Sequence, residues 1–142
     1  MRLSIKARTA PGRVTTGAYI LHSGLGKWGG GDEQAAGVHK TAAAAFPFLN
    51  AVPPRTFLRL LAGAEIATGT ALLAPFVPEA IAGAALTGFS GSLMAMYART
   101  PAMRKPGSIW PSPAGLGVSK DVWMLGIGLG LLADAATDRR KD

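Results

Sequence analysis

The segment LLAGAEIATGTALL, residues 60–73, is built from apolar and small side chains around a single carboxylate, Glu65. Its length and composition are typical of a helix in lipid. A charged side chain at membrane depth costs roughly 3 kcal/mol or more unless it is paired or faces a polar interior. The segment therefore predicts a membrane helix whose Glu65 points into a bundle of other helices.

The composition of the whole chain agrees with this reading. The 142 residues suit one domain, with 49% hydrophobic and 16% charged residues, against about 25% charged in soluble domains. Nineteen glycines allow helices to approach closely in lipid. The lack of cysteine excludes disulfides and thiolate chemistry, and two histidines are too few for a histidine-rich metal site, so we expect no metal.

The net charge of +7 has its basic residues in the tails and between the apolar segments. A nucleic-acid-binding protein collects such residues in one patch or stripe. Basic residues at the flanks of apolar segments are instead typical of membrane anchoring. We therefore expect a lipid bilayer as partner and no nucleic acid.

Four apolar segments are predicted to be helices, at about residues 13–27, 56–77, 79–98 and 119–136. Only the third contains a charge-free run, residues 80–98, that is long enough to span a bilayer unaided. The first segment has no signal-peptide cleavage site before Lys27, so we predict that it is a membrane helix. We predict an all-α, integral membrane, antiparallel four-helix bundle formed by residues 1–142 as a single domain. A Gly-rich soluble four-helix protein remains the alternative.

A short interfacial helix is predicted between the first two segments. Its apolar positions are expected to face lipid: Val38, Ala42, Ala45, Phe46 and Leu49.

Small residues recur at helical spacing in the third and fourth segments. Ala84, Gly88 and Ser92 share one face of the third segment, and Gly126 and Gly130 form a GxxxG pattern in the fourth. Such faces favour close helix contact.

Four spans place both tails on one side of a multi-pass protein in the cell membrane. Seven Lys and Arg residues lie in the tails and eight on the opposite side, so the count alone does not orient the chain. We predict cytoplasmic tails because their charges are dense and unconstrained.

Up-and-down connectivity brings one set of polar residues to the same membrane face. The set comprises Glu65, Arg59, Arg99, His22, Lys27, Lys120 and Asp121. By depth, Arg59 and Arg99 are the predicted partners of Glu65. One interpretation is a structural ion-pair network; the other is a pocket for a small anion or a quinone head group that passes protons through Glu65 and His22.

Two further expectations concern the last segment. Ser119 is predicted to cap its N-terminus, with Asp121 in the first turn. Asp134 is expected to be neutralised by Arg139, Arg140 or Arg13.

Short motifs in these segments resemble the DoxX family of small four-helix bacterial membrane proteins. The motifs are Arg13, Gly17 and SGLGK ending at Lys27, then AEIATG with Glu65 and Gly69, and SKD at residues 119–121. The resemblance extends from about residue 13 to residue 132. It implies an integral membrane protein, since relatives are associated with a membrane subunit of thiosulfate:quinone oxidoreductase and with oxidative-stress complexes.

The resemblance implies a subunit of a membrane redox complex, either non-catalytic or interacting with quinone. The chain has no cysteine and no cofactor motif, so a quinone or other membrane-complex subunits would carry the redox chemistry. We therefore expect no enzyme activity from the chain alone. Two alternatives remain: a structural or assembly module, and a small-solute or proton-coupled transporter.

Overall fold

The computed structural model describes residues 5–141, which are predominantly helical. The helices are α1 Ala10–Trp28, α2 Asp32–Ala45, α3 Pro54–Leu73, α4 Glu79–Arg99, α5 Leu116–Ser119 and α6 Val122–Arg139. Within the described range, β pairing is limited to one isolated bridge between Arg104 and Pro111. The all-α prediction is confirmed.

Two helix ends differ from the predicted bounds. Helix α3 ends at Leu73 rather than near residue 77, and Ala74 is extended. Pro75 follows, and a proline disfavours the helical conformation in the residue before it. The last segment is divided, because a turn at Lys120 and Asp121 separates α5 from α6.

Helices α1 and α3 form the first of two antiparallel pairs. A Cβ atom on Gly69 would lie 2.7 Å from the backbone nitrogen of Leu21, and one on Gly17 would lie 2.9 Å from the Cβ of Leu72. These distances are too short for real side chains. Glycine at both positions therefore lets the two backbones touch.

Helices α4 and α6 form the second antiparallel pair. A Cβ atom on Gly83 would lie 3.0 Å from the Cβ of Leu131, and one on Gly128 would lie 2.6 Å from the Oγ1 of Thr87. Close helix contact was correctly expected, but on the wrong faces. A Cβ on Gly88, Gly126 or Gly130 would meet no atom of residues 5–141 within 4 Å.

The two pairs meet mainly through α3 and α4. The hydrophobic core between them consists of Ile20, Leu72, Ala82, Leu86 and Leu131. Most of these residues lie near the end of the molecule that carries the tails. Toward the opposite end of the helices, the space between the two pairs is a cavity.

Three stretches are long and apolar enough to cross a membrane: Pro54–Leu73, Glu79–Arg99 and Pro113–Arg139. Large apolar side chains such as Leu60, Ile81 and Trp123 are exposed on their outer surfaces. Helix α1 does not meet the same criterion. The described helices thus include three candidate spans, and α1 packs along the first of them.

Candidate functional site

The Glu65 carboxylate is paired with Lys27 at the junction of α3 and α1. Lys27 Nζ lies 3.0 Å from Oε1 and 3.1 Å from Oε2 of Glu65. It also donates to Ser23 Oγ at 2.6 Å. Glu65 is only 5% exposed, so the ammonium group supplies the partner that a buried carboxylate requires.

The sequence of α1 explains how Lys27 reaches this position. Ser23 and Lys27 are four residues apart and therefore share one face of the helix. Gly24 lies directly against α3, where an added Cβ atom would be 2.9 Å from the Cβ of Glu65. The missing side chain brings α1 close enough for the Lys27 side chain to fold over the carboxylate.

This ion pair lines a cavity of about 940 Å³ between the two helix pairs. The walls are mainly apolar. From α1 and α3 they include Tyr19, Ile20, Phe57 and Leu61, and from α4 and α6 they include Phe89, Leu93, Met96 and Met124. The polar lining includes Ser23, Lys27, Gln34, Thr41, Glu65, Ser92 and Asp121. The charged groups are one cation and two carboxylates.

Helix α2 covers the cavity with the face that we expected to contact lipid. Val38, Ala42, Phe46 and Leu49 line the cavity, and Ala45 is buried. The amphipathic pattern was correctly recognised, but its apolar face points inward. The apolar walls between the two helix pairs provide this face with apolar contacts inside the protein.

Asp121 extends the polar part of the cavity. It occupies the N-cap position of α6 but makes no capping hydrogen bond. The predicted cap is wrong, because Ser119 Oγ instead donates to the carbonyl oxygen of Leu116 at 2.8 Å. The Asp121 side chain lines the cavity together with Lys27 and Glu65.

Arg59 and Arg99, the predicted partners of Glu65, bind elsewhere. The Arg59 guanidinium lies 5.3 Å from the ring centre of Trp28. Six residues separate Arg59 from Glu65, which places them about 120° apart around α3. A similar depth in the membrane therefore does not by itself bring Arg59 and Glu65 together.

The guanidinium of Arg99 stacks on an aromatic ring at the end of α2. Its centre lies 5.2 Å from the ring centre of Phe46, and Nη1 donates to the carbonyl oxygen of Ala45 at 3.4 Å. Arg99 therefore holds α2 against α4. Cation–π contact of this kind contributes about 0.5–2 kcal/mol.

His22 and Lys120 also lie outside the site. Both side chains are exposed, and neither lines the cavity. His22 is about 140° around α1 from Lys27, because five residues separate them. The predicted proton path through Glu65 and His22 is therefore not formed, because His22 lies outside the cavity.

A second polar group, the tail cluster, lies at the opposite end of the helices and comprises Lys6, Arg8, Glu79, Asp134 and Asp138. Lys6 Nζ lies 3.0 Å from Glu79 and 2.5 Å from Asp134, and it also contacts Asp138. Arg8 binds Asp134 at 2.6 Å and Asp138 at 3.1 Å. Each of the three carboxylates therefore has a cationic partner.

The tail cluster corrects two predictions. Asp134 is neutralised by Lys6 and Arg8 rather than by Arg13, Arg139 or Arg140. Hydrogen bonds to Asp134 and Asp138 raise the pKa of Lys6 above its ordinary value of 10.5, so the lysine keeps its charge at neutral pH. These tail charges are thus structurally engaged, although we took them to be unconstrained.

Arg13 is fully buried beside the tail cluster. Its guanidinium donates to carbonyl oxygens at the end of α3: to Leu72 at 2.9 Å, Ala71 at 3.0 Å and Ala74 at 3.2 Å. A fourth bond reaches Val77 O at 3.2 Å. The last carbonyls of a helix lack intrahelical partners and carry partial negative charge. Arg13 therefore caps α3.

Sequence reasoning missed most of the cavity wall, although a signal was present. Phe57, Leu61 and Glu65 are spaced by four residues and share one face of α3. Phe89, Leu93 and Met96, spaced by four and then three residues, likewise share one face of α4. Core residues show the identical pattern, so periodicity alone did not distinguish a cavity wall from a packed core.

Comparison with protein-family models gives no match to this chain, and searches of curated proteins and of solved structures give none either.

Proposed function

We propose that the chain is a DoxX-like integral membrane protein in which α1, α3, α4 and α6 all cross the cell membrane as a four-helix bundle. The three candidate spans and their exposed apolar surfaces support this proposal. Helix α1 carries two deep charges, and both bind partners inside the protein. Arg13 binds carbonyl oxygens and Lys27 binds Glu65, so neither has to face lipid.

Both tails are placed in the cytoplasm in this proposal. The exposed residues Arg139, Arg140 and Lys141 support that orientation through the preference for positive charge on the cytoplasmic side. The chain has no cysteine, so one introduced at exposed Ala136 gives a clean probe. Its labelling by an impermeant maleimide in intact cells would contradict the orientation.

The proposed ligand of the cavity is a molecule of the quinone class. The carrying observation is a cavity of about 940 Å³ with an ion pair among its polar groups and walls of Phe, Leu and Met side chains. A small-molecule site typically has such apolar walls with few polar groups. An amphipathic molecule with a polar ring and an apolar tail satisfies both parts.

A small anion fits the same cavity less well. Lys27 is the single cation in the lining, against two carboxylates, Glu65 and Asp121. A thiosulfate ion would thus enter an apolar space with a net negative charge, at an electrostatic cost. A neutral head group avoids this cost.

The proposed role is that of a membrane subunit, non-catalytic by itself, in a redox or oxidative-stress complex. The residues that line the cavity hold and orient a ligand, whereas a quinone supplies its own redox chemistry. An electron-transfer partner would be another subunit. Purification from native membranes should retain both the quinone and such a partner, and recovery of neither would contradict this role.

Binding itself is tested on the purified chain in lipid nanodiscs. We expect decylubiquinone or its reduced form to bind the wild-type protein, measured by calorimetric titration. Ser92→Trp should block binding, because Ser92 lines the cavity. Ala95→Trp is the matched control, since Ala95 is exposed on α4 outside the lining. No binding of either form to the wild type would refute the proposal.

A second candidate, a structural or assembly module, is favoured by the outward glycines. Gly88 on α4 and Gly126 and Gly130 on α6 leave open space beside the helices. Small residues on a lipid-facing surface allow another membrane helix to approach. Replacing all three with leucine should release a co-purifying membrane protein if this candidate is correct, and leave quinone binding unchanged.

A further inference from the structure

The Lys27 ammonium is directed at hydrogen-bond acceptors of the protein itself. A lysine side chain carries three N–H donors and no acceptor. Lys27 has three acceptors within bonding distance: Ser23 Oγ at 2.6 Å and the two Glu65 oxygens at 3.0 and 3.1 Å. The one cation in the cavity lining is therefore already engaged by acceptors of the protein.

The Asp121 carboxylate is in the opposite condition. It makes no capping hydrogen bond to α6, and no cation among residues 5–141 forms a salt bridge with it. Asp121 lines the same cavity as the Lys27–Glu65 pair. An ionised carboxylate only accepts hydrogen bonds, so Asp121 offers the cavity a charged acceptor that lacks a donor.

The remaining polar groups in the lining do not alter this balance. The hydroxyl groups of Ser23 and Tyr19 and the amide of Gln34 can each donate or accept. Among the charged groups, Lys27 is engaged by acceptors of the protein, whereas no described cation pairs with the Asp121 carboxylate.

We propose that the cavity recognises a head group that donates hydrogen bonds, and therefore binds the reduced quinol in preference to the oxidised quinone. A quinol carries two O–H donors, whereas a quinone has only carbonyl acceptors. One quinol hydroxyl donates to the Asp121 carboxylate. This inference deepens the function proposed above, since it requires that the cavity bind a quinone-class molecule.

A site that holds the quinol more tightly than the quinone stabilises the reduced form of its ligand. The proposal assigns this chain the binding step alone, with no electron moved by its residues. A hydrogen bond to a charged group is stronger than a neutral one, so the preference should reach about tenfold.

The test compares decylubiquinol with decylubiquinone, titrated anaerobically into the purified chain in nanodiscs. We expect about tenfold tighter binding of the quinol to the wild type. Asp121→Asn should bring the two affinities to within about twofold, because an amide can donate as well as accept. Asp121→Glu, which keeps the charged acceptor, should retain part of the preference.

Asp32→Asn is the matched control, because Asp32 is an exposed acid outside the cavity lining. It should leave the preference unchanged. Asp121 makes no capping bond, so its substitution should fold normally, which circular dichroism would check.

The possible results separate the two proposals. Equal binding of quinol and quinone to the wild type would overturn the preference while supporting a quinone-class site. An unchanged preference in Asp121→Asn would overturn the role of Asp121. Failure of both forms to bind would instead refute the proposed function itself.

Discussion

At the tail end of the molecule, Lys6 and Arg8 contact all three nearby carboxylates, whereas at the cavity end Lys27 contacts only one of two. Both regions combine basic and acidic side chains from different segments of the chain. They differ in what surrounds them. The tail cluster borders the packed core, and the Lys27–Glu65 pair borders a cavity of about 940 Å³.

The difference indicates how a structural ion-pair network can be distinguished from a binding site. In the tail cluster every charge is compensated by another side chain, so the charges join the segment before α1 to α4 and α6. In the cavity Asp121 is left with an unused acceptor beside empty space. Substitutions at the tail end should therefore change stability, and substitutions at the cavity end should change binding.

The largest effect is expected from Arg13→Met. The methionine keeps much of the volume but leaves the carbonyl oxygens of Ala71, Leu72, Ala74 and Val77 without the guanidinium. Unsatisfied buried acceptors cost about 1–3 kcal/mol each, so we expect a loss of about 3 kcal/mol or more. Thermal unfolding in detergent measures it.

Arg139→Met serves as the control for Arg13→Met, because Arg139 is exposed near the end of α6. Its melting temperature should match that of the wild type. A similar small change for Arg13→Met would show that water replaces the cap, and would contradict its structural role.

A moderate effect is expected from Glu79→Gln in the tail cluster. Glu79 is 5% exposed and accepts hydrogen bonds from Lys6 and Thr9. Loss of its charge weakens the connection between α4 and the segment before α1, at a cost of roughly 1–3 kcal/mol. Quinol and quinone affinities of the folded protein should remain at wild-type values, and altered affinities would argue against the separation of the two regions.

The smallest effect on stability is expected from Glu65→Gln, the same substitution in the cavity. The glutamine carbonyl still accepts a hydrogen bond from Lys27, whose side chain is 20% exposed and can be hydrated, so the loss should stay at about 1 kcal/mol. With one acceptor lost, the ammonium can donate to a ligand, which should raise the affinity for decylubiquinone several-fold and reduce the quinol preference. Calorimetric titration and thermal unfolding measure the two effects.

Glu33→Gln is the matched control for Glu65→Gln, since Glu33 is exposed on α2 and does not line the cavity. A large loss of stability in Glu65→Gln with unchanged binding would instead assign the Lys27–Glu65 pair to the same structural class as the tail cluster. That result would favour the assembly-module alternative.

The amino-acid sequence was sufficient to predict the helices and the importance of Glu65. Runs of apolar and small residues predicted α3 and α4, and the isolated carboxylate in residues 60–73 predicted an inward-facing polar group. These are local properties, because hydrophobicity and helix propensity depend on nearby residues. Pro75, which ends α3 earlier than expected, was also visible in the sequence, and its effect on Ala74 was not used.

The partners of the charged residues were decided only by tertiary structure. Depth along the helices favoured Arg59 and Arg99 for Glu65, yet rotation about the helix axes selected Lys27. The same holds for the glycines, since Gly83 and Gly128 rather than Gly88 and Gly126 face the neighbouring helix. With nineteen glycines, several helix faces had suitable small residues, so composition could not choose among them.

The sequence alone determines that this protein is helical, rich in small residues and built around four apolar segments. Whether helix α2 faces lipid or the interior, and whether a carboxylate is paired or free, depends on side chains far apart in the chain. The rotation of each helix is set by the packing of all of them together. Local periodicity does not specify that packing. The cavity between the helix pairs is a result of the packing.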